Sequence, residues 1–181
     1  MDHLQEAAAF KDVYEGHFGA VLRYCLRRLP EEVASDAAAE TFTIAWRRRR
    51  DFQWDRPLPW LYGVARRVVS NELRSEKRWR RLIQRTHSAS TDVPGADAAV
   101  IEDDERDRVV ASMSKLGATD REVLMLACWE GLSRRDLALA LRCSENAASK
   151  RLHRALDRLG AELGVPGTSR QKFFRVERRQ V

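Results

Sequence analysis

The side chains able to do chemistry in this sequence are charged, and they fall into groups. Asp36 and Glu40 stand four residues apart, so on a helix both carboxylates share one face, away from the apolar stripe of Ala34, Ala38, Phe42, Ala45 and Trp46. Arg66, Arg67, Arg74, Lys77, Arg78, Arg80 and Arg81 gather on the polar side and end of a second stretch, and Lys150, Arg151, His153 and Arg154 line a third. Such carboxylates can pair with the cations of a partner, and such bases can neutralise phosphate. Alone, each group also reads as an ordinary solvated face. Neither makes or breaks covalent bonds. Cys25, Cys128 and Cys143 form no CxxC pair, and His3, His17, His87 and His153 lack metal-ligand spacing. No Gly-rich phosphate loop or nucleophile motif is present. Enzyme chemistry finds no foothold in these residues, and they call for no metal and no cofactor.

The elements that hold these groups are helical. Among 181 residues, 44% are hydrophobic and 33% charged, with only 9 Gly and 5 Pro. Ala, Leu, Arg and Glu dominate, which favours helix over strand. No apolar run approaches the length of a membrane span, and the first residues lack a signal-peptide pattern, so a cytoplasmic, soluble chain without membrane insertion is expected. Phe10, Val13, Tyr14, His17, Phe18, Val21, Leu22, Cys25 and Leu29 keep helical spacing up to Pro30. A second helix is expected over 31–49, then a loop over 51–59 where Pro57 and Pro59 prevent helix. A third helix runs from Trp60 towards Leu82, burying Leu61, Val64, Ala65, Val68 and Leu73. Later, Val109, Val110, Met113 and Leu116 precede Gly117, and Thr119-Asp120-Arg121-Glu122 has the form of a capping box. Ser133 and Ser144 cap two further helices across the turn Arg142-Cys143, a helix-turn-helix.

Charge divides the chain as well. The net charge is +6, yet 92–107 holds seven acids and one base, a net of −6, leaving +12 elsewhere. The expected organisation is all-α: an N-terminal helical bundle over 1–85, an acidic linker over 86–107, a helix-turn-helix domain over 108–160, and a basic tail over 161–181. The tail sets Arg170, Lys172, Arg175, Arg178 and Arg179 around Phe173 and Phe174. A frayed end and an arm that orders on DNA or another partner explain it equally well.

Three motifs in register carry a resemblance. Asp36-Ala37-Ala38-Ala39-Glu40-Thr41-Phe42 with Ala45-Trp46, then Pro59-Trp60-Leu61-Tyr62-Gly63-Val64-Ala65-Arg66-Arg67, resemble the core-binding and promoter-melting segments of sigma-70-type factors. Glu130-Gly131-Leu132-Ser133, Cys143-Ser144-Glu145 and Arg151-Leu152-His153-Arg154-Ala155 resemble their fourth conserved region. The order and the missing middle domain point to the extracytoplasmic-function group. The resemblance implies a factor that binds core RNA polymerase at its β′ clamp and β flap, places it at promoter DNA and aids melting, with a cognate anti-sigma factor left open as a further partner. It assigns the polymerase contact to Asp36, Glu40, Thr41 and Phe42. The −10 element falls to Arg56, Pro57, Leu58, Trp60, Arg67, Asn71 and Arg74, where a flipped-out base would be captured. Trp60 is the stacking candidate there, although a Trp at a helix start belongs more often to a core, the favoured reading. The −35 element falls to Arg134, Arg135, Ser149, Lys150, Arg151, His153 and Arg154. In the family the linker enters the RNA path.

The departures bear on specificity. Arg67 and Asn71 stand where many relatives have Asn and Asp, Asn146-Ala147-Ala148 replaces Gly-Thr-Val, and Arg142 replaces the usual turn Gly. A left-handed Arg142 would cost on the order of 1 kcal/mol. Two other readings stand beside this one: a helix-turn-helix regulator with a sensor or dimerisation domain, which the clamp-binding motif opposes, and an RNA-binding scaffold.

Overall fold

The computed structural model describes residues 3–86 and 104–164, and every regular element among them is helical. The chain divides into two compact units, Met1–Ala98 and Ala99–Val181. The first holds α1 (His3–Leu26), α2 (Glu31–Arg47), a 3-10 turn (Arg49–Asp51) and α3 (Pro57–Thr86). The second holds α4 (Asp104–Lys115), α5 (Ala118–Cys128), α6 (Arg134–Leu141) and α7 (Glu145–Leu163). Helix therefore takes both ends of the segment 86–107 read as linker, and α7 runs three residues past the expected boundary at 160. The middle of that segment, 87–103, and the basic tail from 165 lie outside the described residues.

In the first unit α1, α2 and α3 pack against one another. The small side chains Ala34, Ala37, Ala38 and Ala45 are buried along α2 and let its neighbours approach. Phe42 interlocks them: its ring lies 6.4, 5.0 and 5.8 Å from Phe10, Tyr14 and Phe18 of α1. Phe52, buried after the 3-10 turn, repeats the device, 6.1 Å from Phe10 and 5.0 Å from both Trp54 and Trp60. Edge and tilted geometries of this kind add to the area buried by each ring. Further along, Tyr24 of α1 meets Tyr62 of α3 at 5.3 Å. Partial burial disfavours the charged form of His17 on α1 and lowers its pKa below the usual 6.5.

Three sequence expectations are corrected here. The helix expected to run to residue 49 ends at Arg47, and the next residues tighten into the 3-10 turn. The prolines expected to exclude helix instead start α3, because the first-turn N–H groups have no intrahelical acceptor and lose nothing when proline removes one. Leu73, expected inside, is 37% exposed: it lies beyond the stretch of α3 whose apolar residues Leu61, Val64, Ala65, Val68 and Val69 are covered.

In the second unit α7 packs on α4, α5 and α6, with Ala148 and Ala155 fully buried in the contact. The core around them is Met113, Leu116, Val123, Leu124, Leu126, Leu137, Ala140 and Leu141. Ser133 caps α6 by accepting from the Asp136 N–H at 3.2 Å, and Ser144 caps α7 by accepting from the Ala147 N–H at 3.2 Å. Thr119 does not cap α5: the helix opens two residues earlier than such a cap requires, with Gly117 at the cap and no side-chain bond there. Arg121 acts at the opposite polarity. Its guanidinium donates to the carbonyls of Met113, Ser114 and Leu116 at 3.0, 2.7 and 3.0 Å, closing the C-terminal end of α4. Arg158 of α7 pairs with Asp120 of α5, and Lys115 of α4 with Glu162 of α7 at 3.6 Å.

Between α6 and α7 the chain turns through Arg142 at φ 52, ψ 54, a left-handed residue with a side chain. Its N–H still bonds the Leu139 carbonyl at 3.2 Å. Arg142→Gly should remove the Cβ strain and stabilise this unit by up to about 1 kcal/mol, while Ser144→Ala should cost about 1 kcal/mol by removing the cap. Opposite shifts in thermal melting of the two variants would check both. Phe42→Ala should cost about 3–5 kcal/mol in denaturant unfolding, as for other buried aromatics.

Candidate functional site

The polar faces follow from where the cores lie. On α2 the burial of Ala34, Ala38, Phe42 and Ala45 turns the opposite face to solvent, and that face bears Asp36 and Glu40, both exposed. The other two residues expected at this contact point inward. Thr41 is fully buried with its hydroxyl donating to the Ala37 carbonyl at 2.8 Å, and Phe42 is 3% exposed. Their neighbours at 36 and 40 face water because each step along a helix rotates the side chain by roughly 100°. Thr41 and Phe42 thus fix the helix, and the two acids form its presented edge.

On α3 the buried and exposed faces separate cleanly. Arg67, Asn71 and Arg74 are spaced by four and three residues, so they form one exposed stripe, which Arg78 extends by a further turn. Arg74 is steadied by donating from Nε to the Ser70 carbonyl at 3.0 Å. The expected −10 residues upstream differ in kind. Pro57 and Leu58 are half-buried in the first turn of α3, and Arg56 is half-buried just before it, its N–H donating to the Gln53 carbonyl at 3.0 Å. Trp60 is 8% exposed with its ring against Phe52. It is a core residue, as favoured from the sequence, and its face is not open to stack on a base.

On α7 the burial of Ala148 and Ala155 puts the opposite face outward. Lys150, Arg151, His153 and Arg154 are exposed, and Ser149 is half-buried on the flank. His153 lies 3.7 Å from Asp157 one turn on, a pair that is charged only when the imidazole is protonated. Arg134 and Arg135 open α6 and are exposed. Sequence reasoning misses one site candidate: Asn146, exposed in the first turn of α7 and one turn before Lys150 on the same face. Its signal is present in the Asn146-Ala147-Ala148 departure, where the resemblance has Gly and this chain sets an Asn in the first turn of α7. An amide there can bond bidentately to adenine in a major groove.

These surfaces are charged, exposed and set on rigid helices. Among the described residues no group of three His, Cys, Asp or Glu is placed to hold a metal ion, and no helix is long and apolar enough to cross a membrane. What the surfaces offer is pairing with ions and phosphates.

Known proteins share both units. The family model for Sigma-70 region 2 matches residues 13–79, and that for Sigma-70 region 4 matches 106–159. The RNA polymerase sigma factor CnrH of Cupriavidus metallidurans is 32% identical over 148 residues, 75% of either chain. The ECF RNA polymerase sigma factor SigD of Mycobacterium tuberculosis is 32% identical over 171 residues, 88% of this chain and 79% of that one. Among solved structures, CnrH in complex with the cytosolic domain of CnrY gives a TM-score of 0.58 at 26% identity, covering 90% and 97% of the two chains. The sigma factor RpoE in complex with the anti-sigma factor NepR from Bartonella quintana shares the fold, with a TM-score of 0.59 at 23% identity over 87% and 98%. With region 2 spanning α1 to α3 and region 4 spanning α4 to α7, the chain belongs to the sigma-70 family, among its extracytoplasmic-function sigma factors.

Proposed function

We propose that this sigma factor divides its work among three solvent-facing helix surfaces: Asp36 and Glu40 on core polymerase, the Arg67–Asn71–Arg74 stripe on the −10 element, and the outer face of α7 on the −35 element. The observation that supports this most directly is the α7 face. Ser144 caps the helix, Ala148 and Ala155 bury its inner side, and Asn146, Lys150, His153 and Arg154 stand exposed on the outer side. A helix with this division suits a major groove, where Lys and Arg read guanine and Asn reads adenine. Arg134 and Arg135 at the start of α6, together with Arg151 on the flank of α7, serve as phosphate contacts that fix register rather than sequence.

At the −10 element the division of labour is finer than the contiguous motif implies. Trp60 and the turn Arg56-Pro57-Leu58 set the start of α3, and the exposed stripe meets the DNA. The reading needs no catalysis by this chain; its contribution is placement and charge. The likeness to CnrH, solved in complex with the cytosolic domain of CnrY, supports a protein partner that docks on this chain as well, an anti-sigma factor being the candidate.

The test is reconstitution. Added to core polymerase and a randomised promoter library, the chain should enrich templates with two conserved elements, the upstream one in duplex form. Uniform transcription across the library would refute promoter selection. Asp36→Lys with Glu40→Lys should weaken competition for core polymerase while leaving the melting temperature nearly unchanged, because solvated charges contribute little to stability. Arg154→Ala should lose roughly 1–3 kcal/mol of discrimination at one −35 position if it contacts a base, and act uniformly on all sequences if it holds a phosphate. Binding to an enriched promoter and to its single-base variants separates the two.

A further inference from the structure

Four arginines in a row, Arg47 to Arg50, follow the acidic face of α2, and none of the three surfaces above uses them. The backbone that holds them is tightly bonded. Arg48 donates its N–H to the Ile44 and Ala45 carbonyls at 3.0 and 3.2 Å, Asp51 to Arg48 at 2.9 Å, and Phe52 to Arg49 at 3.3 Å. Phe52, 4% exposed, anchors the run to the core. Arg49 turns inward: its Nε lies 3.1 Å from a Glu6 carboxylate oxygen, and its guanidinium carbon sits 4.7 Å from the centre of the Trp46 ring. Arg47, Arg48 and Arg50 are exposed and form no ion pair among the described residues, although Asp51 is adjacent. Cations at a helix C-terminus complement its dipole, but that effect fades within the last turn and accounts for one or two of them, not four.

We infer that Arg47, Arg48 and Arg50 form a phosphate-binding surface for promoter DNA beside the −10 element. The inference rests on the polymerase and −10 assignments above, and charge and position select the partner. Arg47 shares the face of Asp36 and Glu40, about 16 Å beyond Asp36 along the axis at the helical rise per residue. A polymerase surface basic enough to hold those two acids would repel the arginines if it continued over them, so they require an anion of their own. The run also adjoins the start of α3, because Phe52 packs its ring 5.0 Å from Trp60. A strand lying on the Arg67–Asn71–Arg74 stripe needs its phosphates neutralised, and a guanidinium presents a fork matched to phosphate oxygens.

The experiment uses the full-length chain with core polymerase, on a promoter enriched from the library. Affinity is measured across salt for the wild type, for Arg47→Gln/Arg48→Gln/Arg50→Gln, and for the same three positions changed to Lys. If wild type selects no promoter, the underlying functional reading fails, and this inference with it. If it does, the Gln variant should bind promoter at least tenfold more weakly near 0.1 M salt. Its log–log salt slope should fall by roughly 0.7–0.9 for each phosphate left without its arginine, while its affinity for core alone stays unchanged. The Lys variant should keep the wild-type slope. An unchanged slope in the Gln variant would overturn the inference, and so would a loss confined to core binding without DNA, which would assign the run to an acidic polymerase surface. Should the triple Gln variant unfold, Arg50→Gln, which lies beyond the end of α2, is read by the same slope criterion.

Discussion

The aromatic seam through Phe42 and Phe52 is the constraint on which the first unit depends. Phe42 touches three rings of α1, and Phe52 joins α1 to the start of α3 through Phe10 and Trp60. Rings that interlock at centroid distances of 5.0 to 6.4 Å leave helices little freedom to rotate about their axes. Rotation is the variable that matters for a protein acting through its surface. If α2 turned by one residue, Glu40 would face the core in one sense of rotation and Thr41 would face solvent in the other. Burying the aromatic side of α2 is therefore the same event as presenting Asp36 and Glu40.

The second unit reaches the same end with smaller parts. Ala148 and Ala155 carry no side chain beyond Cβ, so α7 lies close on its neighbours along a narrow strip and leaves its wide outer face to water. Caps and ion pairs then fix where it starts and how it sits: Ser144 at its N-terminus, Asp120 with Arg158, and Lys115 with Glu162. Each exposed pair contributes little to stability. Their geometry still matters, because on the proposed function a displacement of α7 by a fraction of a turn would present other side chains to the bases. The left-handed Arg142 belongs to this scheme, since it lets two helices meet across a turn of minimal length.

The helices are legible in the sequence because apolar residues at spacings of three and four leave a strong periodic signal, and the helix-turn-helix because Ser133 and Ser144 both cap as their positions suggest. Local exceptions are harder to read. Pro57 and Pro59 break a helix interior yet suit its first turn, and the sequence alone does not say which place they hold. Thr119 matches a capping box, but a competing start at Gly117 wins without any side-chain bond. Thr41 and Phe42 resemble contact residues because a motif is a contiguous string, whereas a helix turns the residues of that string in different directions, some to the core and some to solvent. Arg121 is not legible as the C-terminal cap of α4, because that role depends on three carbonyls brought to it by tertiary packing. Motifs mark the segments; packing decides which residues within each segment face outward.

Above all, each unit's own core orients its helices, α2 and α3 in the first and α7 in the second, so that, on the proposed function, a polymerase surface and two DNA surfaces face outward. Site-specific photocross-linking from positions 36, 71 and 150, first with core polymerase alone and then with promoter DNA added, tests this directly. Position 36 should link to polymerase in both states, and positions 71 and 150 should link to DNA once the promoter is present. Position 36 linking to DNA, or positions 71 and 150 giving no DNA adduct on a promoter that is transcribed, would contradict it.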